Sequence, residues 1–205
     1  MPRHKEVRCD AFGEDPLALF ERWFDEARAA GVAQPEAMTL ATVEPDGRPS
    51  ARMVLMKGIS DAGAVFFTDR ESRKGRALGA HPRAALVFWW PAIQKQVRIE
   101  GQVNLLDDDE STAYFQSRPR GSQLSAWASA QSNVIGGREA LQAARANVEA
   151  RFEGVDPLPR PPRWGGYVVA LERVEFWVGQ PDRLHDRLVF HRSGPGRYIA
   201  ERLAP

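Results

Sequence analysis

The chain has 205 residues, 43% of them hydrophobic and 27% charged, which suits a soluble globular domain with a substantial core. Lys and Arg total 28 against 27 acidic residues, and the net charge of +1 argues against a protein built mainly to coat nucleic acid. The single cysteine, Cys9, excludes an internal disulfide and a cysteine-based zinc cluster. The sequence has neither an apolar run of about 18 residues for a membrane span nor an apolar signal core, so we expect a cytoplasmic protein.

The N-terminal region predicts a flexible arm followed by a helix. Residues 1–15 are polar and show no periodic pattern. Asp15 suits the N-cap of a helix, Pro16 its first position and Gly31 its end. The apolar face of this helix comprises Leu17, Phe20, Trp23, Phe24 and Ala27.

Short strand patterns dominate the rest of the chain. The predicted strands span 37–44, 50–57, 64–69, 83–90, 95–106, 165–178, 187–192 and 197–203. Helices are predicted at 71–82, 107–118 and 137–152, with 122–132 as a connection and a Pro-rich linker at 157–163. This irregular alternation favours a mainly antiparallel sheet with peripheral helices, closed as a small barrel in a single domain over 16–205. Glycine-rich nucleotide motifs and metal-ligand clusters do not occur, so no metal is predicted.

Two basic clusters fall at the ends of predicted elements in the first half of the chain. In RMVLMK, Arg52 and Lys57 are an odd number of residues apart, so in a strand they project to opposite faces. They could bind two different anions, or one could bind an anion while the other lies at the surface. The alternative is that both are solvated. In ESRKG, Ser72 can cap a helix whose first turn holds Arg73 and Lys74, where cations oppose the helix dipole. Free N–H groups, a hydroxyl and two cations together form a phosphate site; the alternative is a solvated helix start.

A third cluster lies at the predicted helix end in AYFQSRPRGS. Tyr114 and Arg118 are four residues apart on one helical face, Pro119 ends the helix, and Ser122 lies just beyond it. A phenol, a guanidinium and a hydroxyl that converge here would bind a second phosphate, whereas the alternative is a solvated helix end.

The fourth cluster is RLHDR. In a strand, Arg183, His185 and Arg187 project to one face, and Leu184 and Asp186 to the other. The three basic groups face either a cavity or, as on many edge strands, water. Elsewhere, side chains able to hydrogen-bond or flank a planar heterocycle are Gln96, Gln131, Ser132 and Trp177.

Nine motifs, in order, resemble those of pyridoxine/pyridoxamine 5′-phosphate oxidases over about residues 14–205. They are RMVLMK, FFTDRESRKG, KQVRIEG, YFQSRPRGSQ, WASAQS, WGGY, VEFW, RLHDR and the terminal ERLAP. The resemblance implies an antiparallel FMN-binding split β-barrel that works as a homodimer, with FMN at the subunit interface.

The resemblance also implies roles for individual residues. The implied cofactor-binding residues, drawn from both subunits, are Arg52, Met53, Val54, Leu55, Met56, Lys57, Phe67, Thr68, Arg73, Lys74, Gln96, Gln131, Ser132, Trp177 and Arg187. The implied substrate-binding residues are Lys57, Tyr114, Arg118, Ser122, Arg183, Leu184 and His185. Arg183 and His185 resemble the catalytic pair near the reacting carbon. Two departures are an N-terminal arm without the family's tyrosine and Phe67, which stands where the family commonly has tyrosine.

The implied reaction is the oxidation of pyridoxamine or pyridoxine 5′-phosphate to pyridoxal 5′-phosphate, with hydride transfer from C4′ to FMN. Oxygen then reoxidises the flavin and forms hydrogen peroxide, and the amine substrate also releases ammonia. One alternative is a related phenazine-biosynthesis oxidase, against which WGGY and the SRPRGSQ phosphate cluster argue. Another is a non-catalytic carrier of FMN or pyridoxal phosphate, which would not need Arg183 and His185. A third is an RNA-binding barrel, which the near-neutral charge disfavours.

Overall fold

A computed structural model describes residues 15–205, and this part of the chain contains ten β-strands and five α-helices. The predicted arm at 1–15 lies, apart from Asp15, outside the described residues. The helices are α1 (Pro16–Ala29), α2 (Arg73–Ala80), α3 (Asp108–Ser117), α4 (Arg120–Ala128) and α5 (Arg138–Arg151). The strands are β1 (Ala37–Val43), β2 (Pro49–Leu55), β3 (Gly58–Ser60), β4 (Gly63–Asp69), β5 (Arg83–Trp90), β6 (Lys95–Leu105), β7 (Trp164–Val169), β8 (Arg173–Val178), β9 (Asp186–Gly194) and β10 (Arg197–Arg202).

The strands form one antiparallel sheet that divides at β6. Its main path runs β10-β9-β8-β6-β5-β1-β2. Residues 95–100 of β6 pair with β8, whereas residues 103–105 pair with β7, which continues through β4 to β3. Because one strand belongs to both branches, the sheet curls into a split barrel. The predicted fold class, a mainly β protein with an antiparallel split β-barrel and peripheral helices, is confirmed.

Helix α1 begins as its sequence predicts and packs on the sheet. The Asp15 carboxylate accepts a hydrogen bond from the Ala18 N–H at 3.3 Å, which satisfies one of the free amides of the first turn. Phe20 meets Phe88 of β5 edge-on, with ring centroids 5.1 Å apart. The helix therefore closes one side of the hydrophobic core.

Alternation along the central strands separates a core face from an open face. Leu40 of β1, Leu86 of β5 and Ile99 of β6 are fully buried. Their neighbours Thr39 and Val87, which pair across β1 and β5, project to the other face and are only half-buried. A smaller apolar cluster lies under α3, α4 and α5 and comprises Phe115, Leu124, Phe152, Leu158 and Trp164.

Two assignments of the sequence analysis are wrong in detail. The strand predicted over 165–178 is two strands, β7 and β8, interrupted at residues 170–172; both run antiparallel to β6, so the chain keeps its direction through the break. The predicted connection at 122–132 contains most of α4, whose residues Gln123 and Leu124 are buried. Serine-rich composition concealed a helix that tertiary packing stabilises. A short strand, β3, was also not predicted.

The RLHDR segment is not a continuous strand, so the predicted alternation of Arg183, His185 and Arg187 is wrong. Pro181–Arg183 forms a 3₁₀ turn, and β9 begins only at Asp186. Asp182 and Arg183 have φ values of 55° and 62°, in the left-handed region that a strand cannot contain. No helix among residues 15–205 is both long enough and apolar enough to cross a membrane.

Candidate functional site

A cavity of about 580 Å³ lies against β2, β4, α2, α3 and α4. Most of the residues predicted to bind cofactor or substrate line it: Arg52, Met53, Val54, Leu55, Lys57, Phe67, Thr68, Lys74, Tyr114, Arg118, Ser122, Gln131 and Ser132. Three predicted features therefore meet at one cavity: the cofactor-binding strand, the helix that starts after Ser72 and the helix end at Arg118.

One end of the cavity contains a hydrogen-bonded group around Lys74. The Ser72 hydroxyl caps α2 as predicted and accepts from the Gly75 N–H at 3.3 Å. Lys74 Nζ, which is buried, donates to Gln131 Oε1 at 2.7 Å and to Ser72 Oγ at 3.3 Å. Thr68 Oγ1 donates to the same Gln131 oxygen at 2.9 Å. Three predicted cofactor residues are thus in direct contact.

The charges at this end are only partly neutralised. Burial and the neighbouring Arg52 lower the pKa of Lys74 to about 8, although Asp69 acts in the opposite direction. Glu44 accepts from Arg73 Nε at 3.1 Å and lies 3.9 Å from Arg52 Nη2. Arg73 is largely exposed and does not line the cavity. A buried ammonium with a lowered pKa is a site at which a bound anion is stabilising.

Arg52 is held in place by the neighbouring strand. Its Nη1 donates to the Leu40 carbonyl at 3.0 Å and to Thr42 Oγ1 at 2.8 Å, and its Nη2 donates to Ser50 Oγ at 2.8 Å. Burial lowers the pKa of Arg52, and Glu44 raises it. The guanidinium is therefore fixed before any ligand arrives.

The other end of the cavity is an aromatic stack that supports Arg118. Phe67 stacks on Tyr114 with centroids 4.0 Å apart and on Trp164 at 5.3 Å. The Arg118 guanidinium lies 4.8 Å above the Trp164 ring, and burial lowers its pKa. Its buried Nη1 finds no hydrogen-bond partner among the described residues. A buried donor without a partner costs about 1–3 kcal/mol, so Arg118 suits an anionic ligand at this point, beside Ser122.

The predicted projection of Arg52 and Lys57 to opposite faces is wrong, because β2 ends at Leu55 and its alternation does not reach Lys57. Both cations line the same cavity. Met56, also predicted to bind the cofactor, turns into the hydrophobic core and is 8% exposed, so only its backbone is available to a ligand.

The remaining predicted residues do not line this cavity and form a second group on β6, β8, β9 and the turn before β9. Gln96 pairs with Trp177, and Trp177 pairs with Arg187, so the three form one row across the sheet. The Glu175 carboxylate accepts from Arg187 Nε at 2.9 Å and lies 2.8 Å from its Nη2.

His185 and its neighbours lie at the end of that row. The His185 ring lies 4.6 Å from the Trp177 ring, and its Nδ1 accepts a hydrogen bond from the Gln180 N–H at 3.1 Å. Arg183 and Leu184 are exposed, and Leu184 is 71% accessible.

Sequence reasoning missed several cavity residues: Asp69, Ser125, Ala126, Ser129 and Trp164. The serine and alanine positions are on or next to α4, which was not predicted. Trp164 belongs to the WGGY motif, whose composition alone does not indicate the stack on Phe67 and Tyr114. Glu175 was missed because Arg98 and Arg187, two of its three arginine partners, come from other strands.

Two family models match the chain. The model described as "Pyridoxamine 5′-phosphate oxidase" matches residues 24–152, and "Pyridoxine 5′-phosphate oxidase C-terminal dimerisation region" matches residues 164–205. A Rubrobacter xylanophilus relative named pyridoxine/pyridoxamine 5′-phosphate oxidase is 54% identical over 187 residues, which cover 91% of this chain and 86% of the relative. A Salinibacter ruber relative of the same name is 52% identical over 201 residues, covering 98% and 94%.

A solved structure is also similar along its whole length. PhzG from Burkholderia lata, in complex with tetrahydrophenazine-1-carboxylic acid, has a TM-score of 0.89 and 35% identity and covers 98% of this chain and 100% of its own. An FMN-binding protein from Nostoc punctiforme, 20% identical with a TM-score of 0.74, shares the fold. From the matched family models and the curated relatives, the chain belongs to the pyridoxamine 5′-phosphate oxidase family.

Proposed function

We propose that this protein is an FMN-dependent oxidase that converts pyridoxamine or pyridoxine 5′-phosphate to pyridoxal 5′-phosphate. Oxygen accepts the two electrons and becomes hydrogen peroxide; with the amine, water enters and ammonia leaves. The observation that carries the proposal is one continuous cavity lined by two groups of cations, because FMN and this substrate each bring one phosphate and one planar ring. The two relatives named pyridoxine/pyridoxamine 5′-phosphate oxidase, at 52–54% identity, support the same reaction.

The cofactor phosphate would be held at the Lys74 end, by Lys74 and Arg52 with Arg73 at the rim. Thr68 and Gln131 extend the donor set beside it. Bound FMN would supply the two-electron chemistry, which no side chain of the protein provides. The residues of the chain bind and orient: Arg52 is already fixed by three hydrogen bonds, so little order is lost when an anion arrives.

The substrate phosphate would be held at the Arg118 end. The residues that would bind it are Arg118, Tyr114, Ser122 and Lys57, and all four line the cavity. The free Nη1 of Arg118 offers a charge-assisted hydrogen bond that the described residues do not use. With the phosphate anchored there, the substrate ring can lie against a flavin held along β2, the orientation that the oxidation requires.

We propose that a cytoplasmic homodimer completes the site. The second group, with Gln96, Trp177 and Arg187 for the cofactor and Arg183, Leu184 and His185 for the substrate, does not line the cavity of its own chain. A second copy would bring this group to the cavity. The match of residues 164–205 to a dimerisation region supports this arrangement, because all but Gln96 lie within it. Arg183 and His185 would then be the catalytic residues at the substrate ring.

A phenazine-type oxidase is the second candidate, and the similarity to PhzG favours it. The ligand named for that structure is a carboxylic acid without a phosphate. The two candidates therefore differ in whether the Arg118 end must bind phosphate.

Anaerobic reduction tests the proposed function. The purified protein, reconstituted with FMN, should lose its yellow absorbance when pyridoxamine 5′-phosphate is added, and air should restore the colour with release of hydrogen peroxide. Pyridoxamine without the phosphate is the matched control and should reduce the flavin far more slowly. Absence of bleaching by either compound, or equal bleaching by both, would contradict the proposal.

Replacing Arg118 separates the two phosphate sites. We expect Arg118→Ala to raise the KM for pyridoxamine 5′-phosphate about 10- to 100-fold while the flavin content stays high, because a hydrogen bond to a charged group is lost only at the substrate end. Lys74→Met is the complementary variant and should lose flavin instead. Kinetics and the flavin-to-protein ratio measure the two effects, and parallel loss of both in Arg118→Ala would refute the division.

A further inference from the structure

His185 is oriented by a backbone amide. Its Nδ1 accepts a hydrogen bond from the Gln180 N–H at 3.1 Å, and one ring face packs on Trp177. The Gln180 side chain in turn donates from Nε2 to Asp186 Oδ2 at 2.9 Å, which ties the turn to the start of β9. The imidazole is thus held on one edge and one face, and Nε2 is the nitrogen not engaged by the amide.

A backbone N–H can only donate, so the ring nitrogen opposite it must present a lone pair. Nδ1 is therefore unprotonated, and the neutral ring carries its single hydrogen on Nε2. A proton on Nδ1 would place two N–H groups against each other and would leave the Gln180 amide without a partner. The contact selects one tautomer.

We propose that His185 acts as a neutral hydrogen-bond donor through Nε2 and not as a base at that atom. The inference rests on the proposed function, in which His185 lies against the substrate ring. A donor at Nε2 binds and polarises an acceptor atom of the substrate, and it has no lone pair there with which to remove a proton. Gln180 sets this role through its main chain, which is why no side-chain pattern indicated it.

Nuclear magnetic resonance can read the tautomer directly. The FMN-reconstituted protein, labelled with ¹⁵N-histidine, should show His185 with hydrogen-bearing Nε2 and pyridine-type Nδ1 in long-range ¹H–¹⁵N correlations above neutral pH. The chain has 4 histidines, and the His185→Gln variant identifies the signal by its absence. An Nδ1–H tautomer, or rapid averaging between the two forms, would overturn the inference.

Paired amide substitutions test the same claim in turnover. Glutamine places its amide nitrogen near the position of Nε2, whereas asparagine reaches only that of Nδ1. We expect His185→Gln to lose less than about tenfold in kcat with pyridoxamine 5′-phosphate, and His185→Asn to fall about 100-fold, as His185→Ala does. If Nε2 were a base, Gln would be as inactive as Ala, and that result contradicts the proposal.

The two experiments separate this inference from the proposed function. A wild type that does not oxidise pyridoxamine 5′-phosphate contradicts the proposed function. An active wild type with the Nδ1–H tautomer contradicts only the role assigned to Nε2.

Discussion

Burial lowers the pKa of Lys74 into a range in which ordinary changes in pH alter its charge. Its pKa falls from an ordinary 10.5 to about 8 because burial and Arg52 disfavour the ammonium form. The folded value lies below the unfolded one, so the charged form costs stability below about pH 8, and this cost disappears as the pH rises from about 8 towards 10.5. A phosphate beside Nζ has the opposite effect, because it favours the ammonium form.

Phosphate binding at Lys74 should therefore weaken in alkaline solution. We expect the Kd for FMN, measured by quenching of flavin fluorescence, to rise by up to about tenfold per pH unit above the Lys74 pKa, because binding then requires uptake of one proton. Lys74→Arg is the control, since a guanidinium keeps its charge throughout this range. Equal pH slopes in the two proteins would show that Lys74 is not at the phosphate.

Glu175 is a buried carboxylate surrounded by three arginines. It is 2% exposed and contacts Arg187 at 2.8 Å, Arg173 at 2.9 Å and Arg98 at 3.5 Å. Burial acts to raise the pKa of Glu175, but the hydrogen bonds from Arg187 and Arg173 outweigh it, and the pKa lies below its ordinary 4.5. Its stabilising effect is thus complete above that ordinary value and is lost as the pH falls through the lowered one.

Removing this carboxylate should destabilise the fold more than removing Glu100, a more accessible carboxylate of the same ion-pair network. We expect Glu175→Ala to lower the free energy of unfolding by about 3–5 kcal/mol at neutral pH, because the arginines lose their buried counter-ion. Glu100 contacts Arg98 and Arg173 but is 34% exposed, and Glu100→Ala should cost below about 1 kcal/mol. Urea unfolding measures both, and similar losses would contradict the role given to burial.

The site residues that could be predicted from the sequence are those whose roles depend on residues nearby in the chain. Ser72 and Lys74 follow from a helix start, and Tyr114 and Arg118 follow from helical spacing. Glu175 could not be found in this way, because two of its arginine partners, on β6 and β9, reach it only through strand register. Trp164 likewise acquires its role only when β7 is placed beside β4.

Among the strands, β6 pairs in both branches of the sheet, and Gly101 lies at the position where the two branches separate. A Cβ at this position would lie 2.0 Å from the Ala170 carbonyl oxygen, in the connection between β7 and β8. The obstacle is backbone, which cannot move aside as a flexible side chain can. Close approach of the two segments therefore requires glycine.

The smallest substitution at Gly101 should have a large effect. We expect Gly101→Ala to reduce the free energy of unfolding by about 3 kcal/mol, as overpacking does in other cores. Gly79 of α2 is the control, because a Cβ there would meet nothing within 4 Å, and Gly79→Ala should stabilise by about 0.4–1 kcal/mol. If the two variants changed stability in the same direction, this account of the branch point would be wrong.

Elements with strong local signals were predictable, and those created by packing were not. Asp15 and Pro16 define the start of α1, and alternation identifies β1 and β5. α4 carries a weak apolar pattern and forms because Leu124 enters the cluster with Phe115 and Trp164. The turn before β9 depends on a left-handed backbone conformation at Asp182 and Arg183, and this conformation cannot be predicted from the two residue types alone.

At the scale of the whole molecule, the open face of the sheet is suited to a second copy. Small and apolar side chains cover its β1–β5 part, with Thr39 opposite Val87 and Ala41 opposite Ala85, and the Arg98–Glu175 ion pair follows on β6 and β8. On one side lies β2 of the cavity, where Met53 is 62% exposed. On the other lies the row that contains Trp177. In a two-fold contact, each copy would offer this row to the cavity of the other.

A new charge on the apolar β1–β5 part of this face should therefore separate the subunits and weaken FMN binding at the same time. We expect light scattering to give twice the chain mass of 22.9 kDa for the wild type and a single mass for Val87→Lys, because two-fold symmetry introduces the new charge twice. The variant should keep its circular dichroism but bind FMN much more weakly, since Gln96, Trp177 and Arg187 of a partner are lost. Leu141→Lys, on the exposed side of α5, should remain a dimer with normal FMN affinity. A dimeric Val87→Lys protein, or a monomeric one that binds FMN as tightly as the wild type, would contradict the shared site.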